Sequence, residues 1–354
     1  MNKLQTLLHA FKESGSSDLH LTSGSAPYIR LYGELCLLKD FPVLDAEQLA
    51  ELTSELVGKE NIEKFNAEKE LDMAIGFEGF RMRINLYRQQ QKIAWALRLL
   101  PSEFFPLGEL GIPLPILTSV CKMQKGLVLV TGATGSGKST TLASIINAIN
   151  QTRNCHIFTI EDPVEYCHQN QKAFISQREV DTDTVSFEEA LRRVFREDPD
   201  VILIGEMRDQ ITMRAALTLA ETGHLTFGTL HTSEAIQTVT RMIGAFPANE
   251  QEQIRTQLAT TLNLVISQQL VRWSDGQGRS VASEVMIGTP AIKAMIRENK
   301  IHHIASCIQT GQQMGMRTMN MSLAELVEKK RISSERALES SLDKEDLKRI
   351  LKRS

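Results

Sequence analysis

Residues Gly132 to Thr140 read GATGSGKST, a G-x-x-x-x-G-K-[ST] pattern whose residue types are those a polyphosphate needs. Gly132, Gly135 and Gly137 let the backbone turn tightly, so that the N–H groups of a loop running through Ala133, Thr134 and Ser136 can face an anion. Lys138 would reach the β- and γ-phosphates, Ser139 would place its hydroxyl on Mg²⁺, and Thr140 carries the loop into a helix. A purely structural turn is the competing reading. The complete pattern, set between an apolar run and a helical one, argues against it, and ATP with Mg²⁺ is the expected ligand.

Three further stretches carry groups suited to phosphate chemistry. Asp198-Pro199-Asp200-Val201-Ile202-Leu203-Ile204-Gly205-Glu206 delivers an acid at the end of an apolar strand, where Glu206 would orient an attacking water and accept its proton. The alternative is a salt-bridged strand end, Glu206 with Arg208. Ile160-Glu161-Asp162-Pro163-Val164-Glu165 is a second strand ending in carboxylates, making Glu161 and Asp162 candidates for positioning Mg²⁺ or water beside an ordinary strand-to-loop reading. Gly223-His224 and His231-Thr232 bracket one short apolar strand, and a neutral histidine can bond a phosphate oxygen or a catalytic carboxylate. His224 and His231 are therefore both candidates, with a structural role as the alternative.

These groups need elements to hold them. The apolar runs Val128 to Val130, Ile157 to Ile160, Val201 to Ile204 and Leu225 to Thr229 alternate with amphipathic stretches, as in an α/β domain, and are expected to be adjacent strands of one sheet. Their C-terminal ends should gather the chemistry. Before Gly126 the pattern differs. Leu19 with Leu21, Ile29 with Leu31, and Leu35 with Leu37 repeat with period two, punctuated by Gly24 to Pro27 and Gly33, and predict a small mixed sheet. Asp45 with Gln48 predicts a capped helix that Gly58 ends. Strands are predicted over 70–77 and 80–89. In the second, Phe80, Met82, Ile84 and Leu86 share one face and Arg81, Arg83, Asn85 and Tyr87 the other. That outward face is either solvated or brings Arg81 and Arg83 to a phosphate, with Arg88 and Arg98 as weaker candidates.

Four of the ten prolines, Pro101, Pro106, Pro113 and Pro115, predict a linker. The expected organisation is an N-terminal α+β domain over 1–100, a Pro-rich linker over 101–125, an ATPase core over 126–288 and a helical region over 289–354. In the last, Met314, Met316, Met319 and Met321 read as core packing, and the basic end from Lys344 to Arg353 as a solvated helix terminus. With 354 residues, 42% hydrophobic and 23% charged, the chain has the composition of a folded protein of two domains. A net charge of −3 without a long basic block gives no sign of a nucleic-acid surface. Five cysteines without a C-x-x-C pair disfavour a disulfide scaffold or zinc ribbon and fit a reducing cytoplasm. The N-terminus lacks a signal peptide's apolar core and no apolar run is of membrane-spanning length, so direct membrane insertion is not expected.

The ordered set GATGSGKST, IEDPVEY, SFEEALRRVFREDPDVILIGEMRD and ETGHLTFGTLHTS resembles the Walker A, Asp box, Walker B and His box of the secretion-superfamily ATPases, and among them the type IV pilus retraction ATPases, the PilT family. DLHLTSGSAPYIRLYGEL and FRMRINLYRQQ resemble that family's PAS-like N-terminal domain, and IHHIASCIQTGQQMGMRTMNMSLAELV its C-terminal helices. The resemblance implies a PAS-like N-terminal domain followed by a RecA-like core, a homo-hexamer, and ATP hydrolysis that drives domain rotation for pilus retraction. It implies Walker A roles for Lys138 and Ser139, the Walker B glutamate at Glu206, the acidic Asp-box position at Glu161, the His box at His224 and His231, and nucleotide-approaching arginines among Arg81, Arg83 and Arg88. A cytoplasmic place on an inner-membrane pilus platform protein follows from it, with no nucleic-acid partner. The tetracysteine motif and larger N-terminal region of assembly and type II secretion relatives are missing, which favours retraction. Lys293 and Ala294 depart from the family's AIRNLIRE segment. An accessory PilU-like ATPase, a secretion or conjugation ATPase, and a low-turnover regulatory subunit are the alternatives.

Overall fold

The computed structural model describes residues 2–31, 34–101, 103–276 and 278–352. Gly33 and Arg353, named above, lie outside the described residues. The chain divides into two compact units, Met1–Glu103 and Phe104–Ser354.

The first unit carries β1 (Asp18–Thr22), β2 (Tyr28–Leu31), β3 (Glu34–Leu37), β4 (Glu70–Phe77), β5 (Phe80–Gln89) and β6 (Lys92–Leu100), in the sheet order β3-β2-β1-β6-β5-β4. Burial alternates along β5 as its sequence dictates: Phe80, Met82, Ile84 and Leu86 are in the core. Leu35 and Leu37 are each 53% exposed, because β3 is an edge strand. The core is completed by two helices, Lys3–Glu13 and Ala46–Glu68. The first is an addition to the sequence reading. Leu4, Leu7, Leu8 and Phe11 recur at helical spacing and are buried, and Asn2 accepts the Gln5 N–H at 2.8 Å in a reciprocal capping box. The Asp45–Gln48 box caps the second helix, but Gly58, at φ 79°, kinks it rather than ending it, and the chain stays helical to Glu68.

The second unit is built on β7 (Gly126–Thr131), β8 (His156–Glu161), β9 (Phe174–Glu179), β10 (Val201–Ile204), β11 (Leu225–Leu230), β12 (Leu262–Arg272) and β13 (Arg279–Ile287), ordered β13-β12-β7-β11-β10-β8-β9. Only β13 runs antiparallel to its neighbour. The four apolar runs occupy β7, β11, β10 and β8, adjacent in that order and covered on both faces, which is why they lack alternation. Leu127 and Leu129 pack into one hydrophobic layer, Val128 and Val130 into the other. Residues 101–125, expected as a linker, contain the helix Leu114–Lys122, whose Ile116, Leu117, Val120 and Cys121 are buried in that second layer with Ile145 and Ile149. Pro115 sits in its first turn, where a missing N–H breaks no helical bond.

The C-terminal stretch forms the helices Pro290–Arg297, Ile304–Thr310, Met319–Glu328, Ser334–Ser340 and Lys344–Leu351. Met316 is buried there, whereas Met314 is 55% exposed. Among the described residues no helix is long and apolar enough to cross a membrane.

Candidate nucleotide-binding and hydrolysis site

The parallel register sends the carboxyl ends of β7, β11, β10 and β8 to one edge of the sheet: Leu230 lies beside Thr131, Ile204 beside Gly228 and Ile160. The loop Gly132–Gly137, His231, Glu206 and Glu161 all leave from that edge. At Gly132, φ is 143° and a Cβ would stand 2.2 Å from the Gln268 carbonyl oxygen and 2.5 Å from Ser136 Oγ, so only glycine fits. Gly137, at φ 90°, opens the helix Lys138–Thr152, and no described side chain caps it. Its first-turn N–H groups are thus available to an anion, reinforced by the helix dipole. Gln268 of β12 donates from Nε2 to the Ser136 carbonyl at 2.9 Å and pins the loop from behind.

Lys138 is buried, and its Nζ donates to the carbonyls of Gly132 at 2.9 Å and Ala133 at 3.1 Å. Burial pulls its pKa down, while the charges of Glu206 and Glu165 pull it back up. Ser139 is exposed in the first turn, and Thr140 accepts the Tyr166 hydroxyl at 2.9 Å. Ser139, Glu161, Tyr166, His168 and Gly205 line one small cavity. A hydroxyl and a carboxyl meeting there form a hard-oxygen set of the kind Mg²⁺ takes.

Glu206 carries both partners weighed for it. Arg208 grips it with two bonds, Nε to Oε1 at 2.7 Å and Nη2 to Oε2 at 2.8 Å, while His231 Nε2 lies 3.0 Å from Oε1. The Arg208 hydrogen bond holds the Glu206 carboxyl below the usual carboxylate range. Glu161 goes the other way. Burial pushes its pKa up to about 7, against hydrogen bonds from Thr159 at 2.6 Å and Gln177 at 3.1 Å, with Glu165 and Glu179 adding like charge. Gly205, which precedes Glu206, passes so close to β8 that a Cβ would meet the Ile160 carbonyl oxygen at 3.0 Å.

His224 lies apart from this group. Its carbonyl accepts the Gly126 N–H at 3.0 Å, at the amino end of β11, and its ring Nδ1 lies 3.0 Å from the Leu219 carbonyl and 3.1 Å from Thr222 Oγ1. The strand separates it from His231 by roughly 20 Å, so of the two histidines it is His231 that meets Glu206 within one chain. Arg81 and Arg83 stand on β5 of the first unit, where Arg83 pairs with Asp72 of β4 at 2.5 Å. Tyr166 and Gln268 are contributors that sequence reasoning passed over. Tyr166 closes the quoted IEDPVEY and so lay within a motif, but Gln268 sits unmarked in a strand. Among the described residues no group of three His, Cys, Asp or Glu side chains is placed to hold a metal by itself.

Residues 67–353 match the family described as type II/IV secretion system protein. The chain is 45% identical over 338 residues to the type IV pilus retraction ATPase PilT of Pseudomonas aeruginosa, covering 95% of this chain and 97% of that one. It is 42% identical over 339 residues to a twitching motility protein of Neisseria gonorrhoeae, covering 94% and 90%. A crystal structure of the pilus retraction motor PilT with bound ADP superposes with a TM-score of 0.91 at 44% identity, covering 99% of both chains.

Proposed function

The chain belongs to the type II/IV secretion system proteins, in the PilT family, and from that premise we propose how its residues turn over ATP in pilus retraction. It is an ATPase of that motor class. The observation that carries the residue assignment is the convergence of Lys138, Glu206 and His231 on one sheet edge, with Glu206 and His231 in contact.

ATP lies along the loop Gly132–Thr140, its phosphates taken by the loop's N–H groups and Lys138. Ser139, with Glu206 and Glu161 near, would hold Mg²⁺, which supplies charge neutralisation at the phosphates when bound. Glu206, kept ionised by Arg208, orients the attacking water and accepts its proton as that oxygen bonds to the γ-phosphorus and ADP leaves. His231 holds Glu206 in line and couples the phosphate state to the segment that follows β11. Arg81 and Arg83 are assigned to the nucleotide by the family resemblance. The working form is a homo-hexamer at the cytoplasmic face of the inner membrane, acting on a pilus platform protein. Glu206→Gln should lower kcat for ATP hydrolysis by about 10²-fold or more while fluorescent-ADP affinity and melting temperature stay near the parent's. Parent-like turnover in that variant would remove Glu206 from the chemistry.

A further inference from the structure

Glu284 sits in β13 with 8% of its surface exposed, a buried carboxylate that hydrolysis as described does not use. Its Oε1 accepts the backbone N–H of Ala235 at 2.7 Å, and the backbone N–H of Met319 favours the charged carboxyl from the other side. Ala235 and Met319 open the helices Ala235–Gly244 and Met319–Glu328. One carboxylate therefore faces the positive ends of two helices. At the first of them the side chain of the cap residue, Glu234, accepts from Gln237 Nε2 at 2.9 Å and caps no backbone N–H, so Glu284 supplies that acceptor from a different strand. Burial pushes its pKa up, and the two N–H groups oppose this.

The neighbours of Glu284 tie β13 to the same C-terminal helix. Ser283 donates its N–H to Ser322 Oγ at 3.0 Å, and Val285 exchanges backbone hydrogen bonds with Arg317 at 2.9 and 3.2 Å. On the other side, only His231, Thr232, Ser233 and Glu234 separate β11 from Ala235. One end of that short segment is set by the register of Leu230 with Thr131, the other by the bond to Glu284. Thr232 Oγ1, 2.7 Å from Thr238 Oγ1, holds its middle against the helix that Glu284 caps.

We propose that Glu284 is a positioning residue for ATP hydrolysis: it fixes the start of the helix Ala235–Gly244 against the start of Met319–Glu328, and so holds His231 within reach of Glu206. The contact between the catalytic pair thereby depends on where the C-terminal helices lie. This rests on the roles given above to Glu206 and His231. A carboxylate that served stability alone would lower the melting temperature without selecting a kinetic constant, whereas a positioning group changes kcat at constant KM.

The test compares ATP hydrolysis, fluorescent-ADP binding and thermal melting of the full-length parent, Glu284→Gln, His231→Ala and the double variant. Glutamine keeps the shape and one acceptor oxygen but removes the charge facing two helix ends, so it perturbs position with less risk to folding than alanine, which leaves the Ala235 N–H unmet. Glu284→Gln should lower kcat about tenfold with KM and ADP affinity within about twofold, and should change kcat by less than about twofold once His231 is alanine. A parent-like kcat in Glu284→Gln overturns the proposal. So does an equal fall in both backgrounds, or a fall matched by loss of ADP binding and of melting temperature. A parent-like kcat in His231→Ala alone is a separate result that removes His231 from hydrolysis and the clamp's kinetic role with it.

Discussion

Two carboxyls on adjacent strands are pushed in opposite directions at this site. Arg208 keeps Glu206 ionised, and burial brings Glu161 to about 7. Environments that separate two acids in this way assign them different tasks. Glu206 suits the water. Glu161 is closer to neutral until a cation in the cavity it shares with Ser139 favours its charge. The same shift makes stability depend on pH with a definite sign. The folded pKa lies above the unfolded one, so between roughly pH 4.5 and 7 the folded chain holds the proton more tightly, and stability falls as pH rises through that window. Glu161→Gln, which does not titrate, should gain on the parent across it, by of the order of 3 kcal/mol at pH 8 relative to pH 4 in nucleotide-free and Mg²⁺-free protein. Melting temperatures of the two proteins from pH 4 to 8 read this directly. Curves that keep a constant separation would show that the Glu161 carboxyl titrates at its ordinary value.

At the scale of elements, legibility followed how local the cause was. The runs in β7, β8, β10 and β11 are apolar because both faces of the sheet are covered, and the alternation in β5 marks a single buried face; both patterns are visible in the residues themselves. The loop Gly132–Thr140 announces itself for the same reason. The order of the chain already sets His224 before β11 and His231 after it, so the carboxyl edge of the sheet belongs to His231. Glu284 and Gln268 gave no signal, since their partners, Ala235 and Ser136, lie 49 and 132 residues away. The prolines of 101–125 misled through proximity: Pro115 is tolerated in a first turn, and the apolar face of Leu114–Lys122 outweighs it. That element is core rather than connection. Leu117, fully buried with Ile145 and Ile149, should therefore lose about 2–5 kcal/mol on substitution by alanine, measured by denaturant unfolding. A loss under about 0.5 kcal/mol, as at a surface position, would return the segment to a linker.

At the scale of the molecule, the two units each hold a core of their own, so a change at the surface of one leaves the fold of the other intact. Two groups that hold Glu206 at the sheet edge are nonetheless open to water: Arg208 is 72% exposed and His231 43% by side chain. Phosphoryl transfer by positioned charges is most effective where water is excluded and those charges act at low dielectric. An exposed edge of this kind would gain that enclosure if further copies of the chain covered it, which would give the proposed hexamer a catalytic reason. Specific activity should then rise with protein concentration in step with the assembled fraction seen by sizing, and fall by about tenfold or more on dilution to single chains. Arg83→Ala separates enclosure from assembly. If Arg83 serves the nucleotide, kcat/KM drops while the assembled fraction is unchanged; if its work ends at Asp72, only the stability of the first unit moves. Activity per chain that stays constant across the dilution series would mean that one protomer completes the site, and the assembly would then transmit force without building the chemistry.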